Sequence, residues 1–413
     1  MYELSVDLNL KERSASIFTL SPTLIVIITI FVDLTGFGMI IPLLPFYVTT
    51  FEAGPAALGI LLTSFSIMQF IFSPILGKIS DKVGRRPVLL LSILTSVGSF
   101  ILFALANSFL ILLLSRIVAG LATEVAVAQA YIADITNEKE RAEKMGKVGA
   151  AVGAGFVFGP AIGGFLSTYG FATTGFGAAA LALLNFLFVF FFLPESISKM
   201  QSENLAVTNS KSNYFSKILD AIKKPLVGPV FVIFFIVTLA FAAIPVIVPL
   251  LTISFFNFGS VELSYVFMYI GIIQVVLQGF LLGRLVKMVG EEKLLAFGPL
   301  IMMVGIIAMP LTSNIGIFLS SLAMMAFGNG IMQTVVPSFI SKRTPANEQG
   351  GVLGIAQSVS SIARVPGPII GGFVVEVAGL ASSFFLSGIF LIVAFIFGCR
   401  TFQACILKRK KIG

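Results

Sequence analysis

Four ionisable side chains, Asp33, Arg116, Glu124 and Arg364, stand inside long apolar runs of this sequence. An ionised group at the middle of a bilayer costs several kcal/mol unless it faces water or a partner. Intramembrane acids are therefore seldom filler, and their chemistry is the binding and release of protons or cations. Asp33 is the candidate for this work: a site that holds a cation or a proton, but not both, exchanges one for the other. Arg116, Gly120 and Glu124 recur in steps of four. On a continuous helix that spacing places them within about 80° of one face, which should then line a cavity. Arg116 can neutralise an acid such as Glu124, and a salt bridge of that kind holds helices together. Arg364 precedes Pro366-Gly367-Pro368. It can pair with Asp33 or Glu124, or hold an anionic part of a solute.

These groups need elements to carry them through hydrocarbon. Of the 413 residues, 57% are hydrophobic and only 11% charged, whereas a soluble domain carries roughly 25% charged residues. Twelve apolar runs approach the roughly 20 residues that cross a bilayer as a helix. The first six fall near 22–50, 56–78, 86–106, 108–134, 142–168 and 174–194. The second six fall near 226–256, 260–287, 293–312, 315–341, 349–376 and 381–400. The expected fold class is thus an all-α membrane protein of twelve transmembrane helices. The expected organisation is a tail at 1–21, a six-helix bundle at 22–194, a polar linker at 195–225, a second bundle at 226–400 and a basic tail at 401–413. The polar N-terminal stretch does not read as a cleaved signal peptide.

All Lys and Arg residues except Arg116 and Arg364 fall in the tails and in alternate loops on one side. The opposite loops carry Glu52 and Glu262, with Glu376 at a span's end, and no Lys or Arg. By the positive-inside rule both termini are expected in the cytoplasm, which suits a multi-pass protein of the plasma membrane. The net charge of +8 is therefore topological. Basic residues spread over every inner loop form no nucleic-acid patch. With no His and two adjacent-region cysteines, Cys399 and Cys405, there is no metal or thiol–imidazole site to support an enzyme.

The halves repeat. Gly159-Pro160-Ala161-Ile162-Gly163-Gly164 returns as Gly367-Pro368-Ile369-Ile370-Gly371-Gly372 at an offset of 208, and Gly77 and Gly84 return as Gly283 and Gly290 at an offset of 206. Parallel six-helix repeats are a transporter architecture, with the solute site at their interface.

Three stretches carry a family resemblance over nearly the whole chain. The segment Gly77-Lys78-Ile79-Ser80-Asp81-Lys82-Val83-Gly84-Arg85-Arg86-Pro87 resembles the signature loop of the major facilitator superfamily. Gly155 through Gly164 is similar to its antiporter motif, and Asp33 through Pro45 resembles the twelve-span drug:proton antiporters, tetracycline exporters among them. The resemblance implies the major facilitator fold. It also implies that Asp81 meets the start of span eleven, that Arg85 pairs with an acid at the end of span four, where Asp134 stands, and that Arg116 is the basic residue associated with proton transfer.

Read physically, Gly77 and Gly84 permit a tight turn and close approach, and Asp81, Arg85 and Arg86 either latch one access state or merely form a solvated topogenic loop. Gly155, Gly159 and Gly163 repeat in steps of four beside Pro160 and Gly164. They offer close packing between bundles that rock against each other, or ordinary helix packing.

The expected function is alternating-access transport, proton-coupled export of drug-like amphipathic compounds. The partners are a small-molecule substrate, protons and lipid; the energy source is the proton gradient without a cofactor, and the chain is expected as a monomer. The alternative is a symporter or facilitator for a nutrient or organic anion held by Arg116 and Arg364.

Overall fold

The computed structural model describes residues 20–122, 124–136, 138–196, 227–344 and 349–410. The expected N-terminal tail and nearly all of the expected linker lie outside the described residues. Twelve helices among the described residues are long and apolar enough to cross a membrane. The first half has Pro22–Thr49, Pro55–Val83, Arg85–Ala104, Phe109–Asp134, Glu143–Ser167 and Phe171–Phe192 as spans one to six. The second has Gly228–Phe256, Ser260–Val289, Glu291–Leu311, Ile315–Lys342, Val352–Ala378 and Leu380–Leu407 as spans seven to twelve. Helices are the expected solution, since hydrocarbon leaves backbone groups no partner outside their own segment.

Three sequence expectations change here. The segment read as a loop after span two is helical to Val83, because nothing breaks the helix until Gly84. Asp81 and Lys82 therefore occupy a last helical turn, and Arg85 opens the next helix. The basic tail is likewise helix, continuous from Leu380 to Lys410. Span four is not one continuous helix. It stops at Leu121, Ala122 is extended (φ −74°, ψ 127°), and a new helix starts at Glu124. The break removes the step-of-four register, so Arg116 and Glu124 do not share one helical face.

The repeat is visible in backbone geometry. Gly84 and Gly290, at φ +109° and +88°, each join the second and third helix of their half, and Gly170 and Gly379, at φ +110° and +84°, each join the fifth and sixth. A side chain at these angles is strained, which is why glycine holds all four corners.

Three of the span-five glycines take the ordinary helix packing that the sequence allows, and not the packing between bundles. A Cβ on Gly159 would lie 2.6 Å from the Thr35 carbonyl oxygen, one on Gly155 would lie 2.6 Å from the Leu34 Cβ, and one on Gly163 would strike the Met39 backbone. All three neighbours belong to span one, so this stripe seals spans one and five within the first bundle. Pro160 joins the same seam against Gly38. Gly164 faces the second bundle instead, where its added Cβ would meet the Ser264 Cβ at 2.6 Å.

Contacts between bundles gather on the side away from the basic loops. Ser167 Oγ and Ser260 Oγ lie 2.9 Å apart across spans five and eight. The Thr63 hydroxyl donates to the Val365 carbonyl at 3.0 Å, and the Ala56 amide donates to Glu376 Oε2 at 3.0 Å, both across spans two and eleven. Toward the basic side the same four helices have room: a Cβ on Gly77, Gly149, Gly283 or Gly354 would meet nothing within 4 Å. The bundles thus meet at the end away from the basic loops, while at the basic end these four glycines are left without a neighbour.

A Ser167→Cys/Ser260→Cys pair, in a Cys399→Ser/Cys405→Ser background, should form a disulfide under mild oxidation, because hydroxyls in contact place the Cβ atoms near bridging distance. Gel mobility after proteolysis between the bundles reads the bond. Absence of cross-linking would contradict the closed end described.

Candidate functional site

Asp33 sits mid-span in a helix that runs unbroken from Pro22 to Ile40. The residue is half-buried, and Glu124 is its electrostatic neighbour. Among the described residues it makes no ion pair. Glu124 is buried at 3% exposure and accepts a 2.7 Å hydrogen bond from Ser96 Oγ of span three. The span-four break thus places an acid on the first turn of a helix, where the N-terminal dipole favours negative charge.

Arg116 is buried at 1% exposure. Its Nε donates to the neighbouring Ser115 Oγ at 3.3 Å, its guanidinium lies 5.6 Å from the Phe103 ring centroid, and its Nη2 has no hydrogen-bond partner. The salt bridge with Glu124 considered from sequence is absent among the described residues, because the broken helix turns the acid toward Ser96. Arg364 is the opposite case. It ends the helix Gln349–Arg364, is exposed, and has no ion pair among the described residues.

A second constellation lies at the basic end of the first bundle. Arg85 Nη1 bridges Asp81 Oδ1 at 2.6 Å, its Nε bridges Asp134 Oδ2 at 2.8 Å, and Nη1 also donates to Ser80 Oγ at 2.7 Å. One guanidinium therefore ties spans two, three and four. Glu195, which sequence reading left as the first linker residue, completes the cluster. It accepts the Arg85 amide at 2.9 Å and the Arg86 amide at 3.1 Å, capping span three. Arg86 in turn donates to the Phe190 carbonyl at 2.5 Å on span six. Gly84 is required here, since a Cβ would lie 2.5 Å from Glu195 Oε2. Asp81 pairs with Arg85; the start of span eleven, its partner by the resemblance, includes residues 345–348, which lie outside the described residues.

The second bundle repeats the Arg85–Asp134 bridge with its signs reversed. At the offsets relating the halves, Asp81, Arg85 and Asp134 map onto Lys287, Glu291 and Lys342. Lys342 Nζ lies 2.9 Å from Glu291 Oε1, which also accepts from Ser338 Oγ at 2.6 Å. Beside it, Arg343 bridges Glu292 Oε1 at 2.9 Å and stacks on Phe339 at 3.6 Å. The signal was present in the sequence as a sign inversion at fixed offset, but glycine matching does not look for it.

A family model described as Major Facilitator Superfamily matches residues 26–368 and, again, 279–404. The chain belongs to the major facilitator superfamily. It is a multi-pass secondary transporter of a small-molecule substrate, not an enzyme. Multidrug resistance protein 2 of Bacillus subtilis (strain 168) is 29% identical over 375 residues, covering 90% of this chain and 92% of that protein. Tetracycline resistance protein, class E, of Escherichia coli is 32% identical over 352 residues, covering 84% and 86%. Among solved members of the fold, a bacterial homologue of the human lysosomal transporter Spinster in an inward-facing and occupied conformation superposes with a TM-score of 0.74. It is 16% identical and covers 92% of this chain and 96% of that one.

The reversed knots make a charge-swap test. Arg85→Glu alone should cost about 3 kcal/mol, since it leaves Asp81 and Asp134 facing a third acid in a partly buried setting. The triple change Asp81→Lys/Arg85→Glu/Asp134→Lys rebuilds the second-bundle pattern and should recover most of the loss. Melting temperature in detergent reads both. A triple variant no more stable than the single one would refute the equivalence of the knots.

Proposed function

We propose that this transporter exports drug-like, amphipathic compounds in exchange for protons, by alternating access across the cytoplasmic membrane, with both termini in the cytoplasm. Asp33 carries the reading: an acid at mid-span, half-buried and with no ion pair among the described residues, is free to bind a proton or a cationic group, one at a time. Glu124, buried nearby, and Arg116 on the same span are the other coupling groups of the proposal. The relatives named for multidrug and tetracycline resistance support efflux over uptake. The placement of Lys and Arg in alternate loops supports the orientation. In that orientation the end where the bundles meet faces away from the cytoplasm, the state in which an exporter loads.

Coupling then follows from differential affinity. Protonated and deprotonated Asp33 must favour different access states, because a ligand moves a two-state equilibrium only by its preference between them. The Arg85 knot keeps the basic end of the first bundle rigid as it moves. Closure at that end brings the start of span eleven toward Asp81, the latch that the family resemblance implies. Gly155, Gly159, Gly163 and Pro160 stiffen the moving bundle through the span-one seam, and Gly164 makes contact across the interface. The chain works as a monomer, since each half supplies one wall of the cavity.

In proteoliposomes loaded with tetracycline or ethidium, Asp33→Asn should abolish transport driven by a pH gradient while the protein still reaches the membrane and melts as a single species. Glu124→Gln should slow it by roughly tenfold, about 1.4 kcal/mol. Undiminished gradient-driven transport by Asp33→Asn would sink the proposal.

A further inference from the structure

Two guanidiniums lie within the spans, and they are not equivalent. Arg116 is shut away beneath Phe103. Arg364 is exposed, on a helix that packs against spans two, seven and ten. It also belongs to a stripe. Gly354, Gln357, Ser361 and Arg364 follow one another by three or four residues on the helix Gln349–Arg364, so they share one face. Gln357 and Arg364 are exposed and Ser361 half-exposed, while Ile355, Ala356, Val359, Ser360 and Ala363 between them are buried. A polar, accessible stripe on a membrane helix faces water inside the protein.

The position of Arg364 along the stripe matters. The next residue, Val365, accepts the Thr63 hydroxyl that closes spans two and eleven. The guanidinium therefore stands just beneath the end where the bundles meet, at the far limit reached by a solute entering from the basic side. No carboxylate among the described residues pairs with it, and Asp33 belongs to the opposite bundle.

We propose that Arg364 binds an anionic group on the substrate, so that the preferred substrates are amphiphiles bearing a carboxylate, sulfonate or phosphate, zwitterions included. A guanidinium offers a planar fork of donors that fits these groups through two parallel charge-assisted bonds. Asp33 takes the cationic end of a zwitterion, and a proton displaces that end alone. The substrate thus touches both bundles through opposite charges, and a neutral or purely cationic compound forgoes the Arg364 bond. This inference rests on the exporter reading in placing the substrate in the cavity, but its test needs no gradient.

Rhodamine B, a zwitterion, and its ethyl ester, a cation, differ in the free carboxylate. Binding of each to the purified full-length protein is read by fluorescence anisotropy in detergent, with fluorescein and its methyl ester as a second pair. The wild type should bind the acid of a pair about tenfold more tightly than the ester, the worth of a charged hydrogen bond. Arg364→Gln should weaken the acid alone and bring the pair together; Arg364→Lys, keeping the charge without the fork, should keep part of the preference. Unchanged ester binding certifies that the variants are folded.

Absence of acid preference in the wild type for both pairs overturns the proposal. So does equal weakening of acid and ester by Arg364→Gln, which would make the residue a conformational element. Acid preference that persists while Asp33→Asn still pumps would leave this inference standing and remove the proton-exchange reading.

Discussion

The constraint on which everything else rests is the low polarity of the bilayer interior. Charge that soluble proteins spread over a surface must here be collected, either at the ends of the helices or in a shared interior. The chain obeys this closely. Its Lys and Arg residues crowd the ends on one side, and those that form bridges do so with acids of the same bundle. The charges left within the spans, Asp33, Arg116, Glu124 and Arg364, meet four different fates. Glu124 accepts from Ser96, Arg116 is buried against an aromatic ring, Asp33 is half-buried and Arg364 is exposed. The last two stand on different bundles, which makes them the natural pair of contacts for a solute that must be gripped by both.

Rigid bundles and an interface with few hydrogen bonds among the described residues are the mechanical side of the same arrangement. Within the first bundle, spans one and five approach until backbone meets backbone, and one guanidinium ties three helix ends. Between bundles the bonds are few and made by neutral hydroxyls, a backbone amide and one carboxylate. Such bonds are worth about 1 kcal/mol each net, small enough to be exchanged for others when the opposite end closes. Glu376 is notable among them, since it caps the first turn of span two from the other bundle, so that closure and helix capping are one event.

The two knots at the basic ends show how duplication preserved geometry while inverting charge. Glu291 stands where Arg85 stands and Lys342 where Asp134 stands, and the bridge closes at similar distance in both. Electrostatic attraction is indifferent to which partner carries which sign, so a pair can invert if both members change. The glycine corners could not drift in this way: positive φ at Gly84 and Gly290 admits no comparable exchange.

The twelve spans, their alternate basic loops and the duplicated glycine framework were legible in the sequence, because hydropathy, the positive-inside bias and repeat offsets are properties of residue order; the Arg85–Asp134 pairing came from the family resemblance alone. Also legible were the positions of the four intramembrane charges. What each charge does was not. The helix stops at Leu121 and a new one starts at Glu124, which takes Glu124 out of the register that its spacing implies, and only the fold shows it. The span-five glycines announce close packing, but whether their partner is span one or the other bundle depends on three-dimensional neighbours. Glu195 follows a proline at a helix end and looks like linker until the start of span three is brought against it. Periodicity is local and survives in one dimension; partnership is long-range. Tertiary structure alone decided that Arg116 is sealed and Arg364 open.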